Sequence, residues 1–75
     1  MKELVEYVAR GLVEHPERVS VVEIPEGGQT IYELEVAPDD MGKIIGRQGR
    51  MINSLRTLVK AAAVRRGMRV NVEVV

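Results

Sequence analysis

The sequence predicts an α+β fold of order α-β-β-α-α-β around a three-stranded mixed sheet. Three observations predict it: apolar residues at helical spacing over residues 2–14 and 50–66, apolar and polar residues alternating over 30–36 and 68–75, and two close glycines, Gly46 and Gly49, between the second and third helical segments. At 75 residues the chain reads as one domain, 1–75, which buries only about 60% of the surface its unfolded form exposes and so needs a compact core.

Each element has a local cause. From Lys2 to about Glu14, Leu4, Val5, Val8, Leu12 and Val13 fall on one helical face, with Glu3, Glu6, Arg10 and Glu14 between them. His15-Pro16 ends this helix, because the residue before proline is pushed out of the α region and proline has no N–H to donate. Val19 to Ile24 and Thr30 to Val36 are β-rich and are separated by Pro25-Glu26-Gly27-Gly28-Gln29, which predicts an antiparallel hairpin. Tyr32, Leu34 and Val36 alternate with Glu33 and Glu35, so one face is buried and the other wet. Pro38-Asp39-Asp40 opens a helix of about two turns, with proline at its first position and acids at its positive end. That helix ends at Gly46. A longer one runs from about Arg50 to Arg66, with Met51, Ile52, Leu55, Leu58, Val59 and Ala62 expected inside and Gly67 as its stop. Val70, Val72 and Val74 then alternate with Asn71 and Glu73 in a last strand, Met68 to Val75, which a helical crossover lets lie parallel to the second.

Composition narrows function by exclusion. Hydrophobic residues are 45% of the chain and charged residues 29%, the profile of a soluble globular protein, and no apolar run approaches the roughly 18 residues of a membrane span. Acids interrupt the N-terminus from the start, so a secretory signal is not expected and a cytoplasmic location is. No cysteine is present and there is one histidine, which removes disulfides, thiolate zinc sites and histidine clusters; no cofactor is expected. Asp39 and Asp40 do not face one another on a helix, His15 has no visible catalytic partner, and no phosphate-binding G-x-x-x-x-G-K-[ST] run exists, so the chain does not read as an enzyme.

Net charge is zero, but it is unevenly placed. Residues 1–42 carry three basic side chains against ten acidic ones, and residues 43–75 carry eight against Glu73 alone, giving −7 and +7. The basic half begins at Lys43-Ile44-Ile45-Gly46-Arg47-Gln48-Gly49-Arg50. Two close glycines let a main chain approach a phosphate with no Cβ in the way, the following helix offers its positive end, and Lys43, Arg47 and Arg50 add charge. Arg56 and Lys60, four apart on the long helix, read as a solvated face or else as an outer part of a binding groove, the first being favoured, and Arg65, Arg66 and Arg69 as capping and solubilising charges. With no Phe or Trp, the chain lacks the stacking platforms on which many single-strand binders rely.

Ile44-Ile45-Gly46-Arg47-Gln48-Gly49-Arg50-Met51-Ile52, set in this element order, resembles the signature of a type II KH domain, and a KH chain of this size resembles the KhpA family of small bacterial RNA-binding proteins. The resemblance implies three helices on one face of the sheet and a G-x-x-G clamp on the backbone of about four nucleotides of single-stranded RNA. It implies phosphate contacts from Arg47 and Arg50, a hydrogen bond from Gln48, a positive rim at Lys43, and one of Ile44 and Ile45 in the core with the other toward the bases; which does which stays open. It further implies homodimers, a heteromer with a larger KH-containing RNA-binding protein, and work as an RNA chaperone or post-transcriptional regulator. Two other roles stay open beside it: a protein-interaction adaptor with a KH-like fold, and a ribosome-assembly factor.

Overall fold

The computed structural model describes residues 1–75 and has the expected element order. Helix α1 spans Lys2–Leu12, strands β1 and β2 span Ser20–Glu26 and Gln29–Glu35, helices α2 and α3 span Met41–Ile45 and Arg50–Val64, and strand β3 spans Val70–Val74. The sheet order is β1-β2-β3, with β1 antiparallel and β3 parallel to β2. No helix is long and apolar enough to cross a membrane.

The helices pack on one sheet face around Val5, Ala9, Tyr32, Leu34, Ile44, Val59 and Val72, part of a fourteen-residue buried cluster. Burying each Val, Leu or Ile there contributes about 1.5–3 kcal/mol, which is where most of the stability of so small a chain must come from. Tyr32 sits in this cluster, and burial, reinforced by Glu23 and Glu3, raises its phenol above the usual value of 10.0.

Element ends differ from expectation for local reasons. The hairpin turn shortens from five residues to Gly27-Gly28, at φ 57° and 83°, because two residues in left-handed conformation match the twist of the flanking strands. Pro25 therefore lies inside β1, which is tolerated on an edge strand. The two-turn helix from Pro38 is instead a 3-10 turn, Pro38–Asp40, leading into α2. Helix α3 stops at Val64, where Gly67 at φ 67° lets Met68 N–H reach Ala63 O at 2.9 Å and Gly67 N–H reach Val64 O at 3.1 Å.

The expected inner face of α3 needs correction. Its buried residues are Ile52, Leu55, Val59 and Ala63, whereas Met51 and Leu58 are 37% and 47% exposed and Ala62 is half-buried. The steps of three, four and four residues keep one narrow stripe against the sheet, and Met51 and Leu58 fall on its outer flank.

Candidate functional site

The loop between α2 and α3 is built by backbone conformation. Gly46 ends α2 at φ 76° and ψ 173°, a combination open essentially to glycine alone, while its N–H still reaches Gly42 O at 2.9 Å. A Cβ on Gly46 would lie 2.7 Å from Met51 Cβ and 2.8 Å from Met51 N, so the first turn of α3 closes directly over it. Gly49 is left-handed at φ 75° and ψ 13°, but its nearest neighbour to such a Cβ is 3.8 Å away, so conformation rather than space requires glycine there. Gln48, between them, is the one non-glycine residue at positive φ, at 56°. A left-handed glutamine costs about 1–2 kcal/mol, so strain is held within the bend.

This bend turns its side chains outward. Arg47, Gln48 and Arg50 are exposed, and neither arginine is within 4.0 Å of a carboxylate. Helix α3 begins at Arg50 with no side-chain cap; a 3-10 turn gives the Gly49 and Arg50 N–H groups to Gly46 O and Arg47 O, and the positive end of the helix dipole faces the same place. Backbone dipole and unpaired guanidinium groups converge there on a patch suited to an anion.

The expected residues do not all converge. Ile44 is fully buried in the core and Ile45 is partly exposed at its edge, which settles their division of labour as far as the core is concerned. Lys43 points toward α1, its Nζ 3.3 Å from Glu14 Oε1 in a solvent-exposed pair. Such pairs contribute little, so Lys43 is displaced from the loop more than it is locked.

Sequence reasoning missed Asp40 and misjudged Arg56. Asp40 is wholly buried, and its two carboxylate oxygens accept N–H groups from Glu14 at 3.1 Å and His15 at 3.0 Å. Those N–H groups lose helical partners because α1 breaks at Leu12, ahead of Pro16, and the acid expected at a solvated helix start takes them over. Burial works against ionising Asp40, but the two backbone N–H groups, with His15 and Lys43 nearby, outweigh it and hold the carboxyl below its ordinary value. Glu14, His15 and Asp40 bring one potential metal ligand atom each within 4.8 Å, yet both Asp40 oxygens are already engaged by the main chain.

Arg56 is only partly exposed and does structural service. Its Nε donates to Val72 O at 2.8 Å and its Nη1 to Asn53 Oδ1 at 3.1 Å, while Asn71 Oδ1 accepts Val72 N–H at 2.9 Å. The residue pair across the α3–β3 groove thereby occupies both main-chain groups of Val72 on the outer strand. Lys60, one turn beyond Arg56, is exposed as expected and borders with Arg69 and Gln29 a cleft of about 280 Å³ floored by Val64, Met68 and Val70. No signal local to Arg56 separates a solvated arginine from one fastening a strand that lies sixteen residues on.

The chain is similar to known proteins over its whole length. The family model described as KhpA/KhpB, KH domain, matches residues 2–74. The chain is 51% identical to a protein named RNA-binding protein KhpA from Clostridium perfringens, over 100% of both chains, and 52% identical over 100% of both to the one from Caldanaerobacter subterraneus subsp. tengcongensis. The protein of that name from Thermotoga maritima is 49% identical over 61 residues, 81% of each chain. Among solved structures, Aquifex aeolicus Era Y63A bound to GDP.AlF4- matches with a TM-score of 0.68 at 20% identity, over 96% of this chain and 28% of that one, a likeness of fold.

Proposed function

The chain belongs to the KhpA/KhpB KH-domain family, and from that premise we propose that it is a non-enzymatic RNA-binding protein that holds short single-stranded RNA on the bend between α2 and α3. The observation that carries the reading is the bend itself: positive-φ backbone at Gly46, Gln48 and Gly49, the start of α3 with no side chain over it, and two exposed arginines with no carboxylate partner. A phosphate seated there meets the α3 dipole, with Arg47 and Arg50 in contact with it and the next phosphate and the Gln48 amide as a further donor. Ile45, the partly exposed isoleucine, faces the bases, which run along the groove between α3 and β3 toward Lys60.

About four nucleotides give limited affinity, so useful binding requires linked clamps. A second copy of this chain, or a larger KH-containing relative, supplies the link. The outer flank of α3 supports such pairing, since Leu58 is 47% exposed beside Ala61. An RNA chaperone or post-transcriptional regulator fits a site that grips backbone without stacking platforms and therefore tolerates many sequences.

The test replaces Arg47 and Gln48 together by aspartate and measures single-stranded RNA affinity beside thermal stability. The expected result is a folded variant with at least about a tenfold loss of affinity, and a wild-type salt dependence with a slope of about −2 to −3 in log–log form for three or four phosphates. Unchanged affinity in the folded variant defeats the site, and a wild type that binds no RNA at low salt favours the adaptor role.

A further inference from the structure

All three helices lie on one face of the sheet, and the opposite face is uncovered. By strand alternation it presents Val22 and Ile24 from β1, Ile31, Glu33 and Glu35 from β2, and Glu73 from β3. The apolar part is continuous, because Ile31 is paired with Ile24 across the sheet. Ile31 is only 6% exposed yet stands outside the main core cluster, screened by its strand neighbours, while Val22 beside it is 52% exposed. The polar part has one sign. Glu33 pairs in register with Val22 on one side and with Glu73 on the other, and Glu35 follows on the same face.

Like charges directly opposite on neighbouring strands are destabilising, and none of these three carboxylates has a cation within 4.0 Å. Arg18 borders the same cleft as Glu35 at the sheet's end but forms no ion pair with it. The face thus combines the exposed Val22 and half-buried Ile24 with uncompensated negative charge, the complement of a cationic amphipathic segment and the opposite of a surface for nucleic acid.

We propose that this sheet face is a docking surface for a basic protein segment in which apolar and Lys or Arg side chains take turns at every second position, so that both fall on one face of the extended chain. The apolar side chains pack on Val22 and Ile24, and the cations meet Glu33, Glu35 and Glu73. The surface lies on the far side of the sheet from the α2–α3 bend, so one chain engages a basic protein and an anionic polymer at once. The proposal does not depend on the RNA reading, because none of its residues belongs to that bend.

A labelled peptide with valine and lysine in turn at every second position and serine between them is the probe, with oligolysine of equal charge as its control. Three results are expected. The alternating peptide binds more tightly than oligolysine by about tenfold, its amide shift changes fall on β1, β2 and β3, and Glu33→Gln with Glu73→Gln weakens it by about tenfold. The same double variant melts at or above the wild-type temperature, since it removes a like-charge pair. Equal binding of oligolysine, shift changes centred on the acids of α1, or peptide affinity unmoved by the double variant would each overturn the proposal. The Arg47→Asp, Gln48→Asp variant keeps its peptide affinity if the two surfaces are separate, and loss there would also overturn it.

Discussion

The chain turns twice on a pair of glycines at positive φ, at Gly27-Gly28 and around Gly46 and Gly49, and the two turns obey different constraints. In the hairpin, a Cβ on either glycine would meet nothing within 4 Å, and the requirement is conformational and local. At Gly46 the backbone of Met51 stands where a Cβ would go, so the requirement is also steric and depends on where α3 has packed. The first turn is a property of two residues. The second is a property of the assembled helices, held on one side by the Ile44 and Ile52 core contacts and on the other by the Asp40 bonds to the end of α1.

The difference can be broken most forcefully at Gly46. Gly46→Ala combines a glycine-only backbone conformation with an overlap against main chain, so it should cost about 2–4 kcal/mol and lower the melting temperature by about 10 °C or more, read by thermal denaturation. A loss no greater than that of an alanine at Gly28 would show that α3 yields to make room.

Asp40 tests the dependence on distant contacts, with the next largest effect. Its carboxyl ionises more readily in the folded state than the ordinary 3.8, so the stability it contributes is present above that pH and is lost as pH falls through the lower folded value. Acid should therefore loosen α1 from α2 while the hairpin keeps its protection, as hydrogen exchange across pH 2–5 would resolve. Asp40→Asn keeps the shape but meets two N–H donors with an amide that offers one acceptor, so it should lower the melting temperature by several degrees at neutral pH and flatten the acid limb of the profile.

Smaller effects sharpen the comparison. Gln48→Gly removes the strain of a left-handed glutamine and returns part of it as chain entropy, a net gain of about 0.5 kcal/mol in chemical denaturation. Gly27→Asn should change stability by less than about 0.5 kcal/mol, because asparagine followed by glycine suits the same hairpin turn.

Legibility in the sequence follows the same line. The hairpin, an end to α1 ahead of Pro16 (at Leu12 rather than Glu14), the element order and the bend at Gly46-Arg47-Gln48-Gly49 were readable because each is written in neighbouring residues. What lay beyond reading depends on chain segments brought together by the fold. Asp40 looked like a first-turn acid until Glu14 and His15 came within reach, and Arg56 looked solvated until Val72 lay beside it. Periodicity put Met51 and Leu58 inside because it gives the width of an apolar stripe poorly over so few turns. The division between Ile44 and Ile45 needed the orientation of a five-residue helix, which its own sequence does not set.

The parallel pairing of β2 with β3 has a consequence in time. It joins Thr30 to Val70, so the chain between them, with α2, the bend and α3, is closed into a ring of about forty residues only when β3 docks. The β1–β2 hairpin closes a far shorter loop and forms without it. Contact order predicts a fast local step followed by a slower non-local one in which the bend takes its shape, as the rates of hairpin and α3 protection in pulsed hydrogen exchange would show. On this account a nascent chain acquires the hairpin first and the α2–α3 bend last.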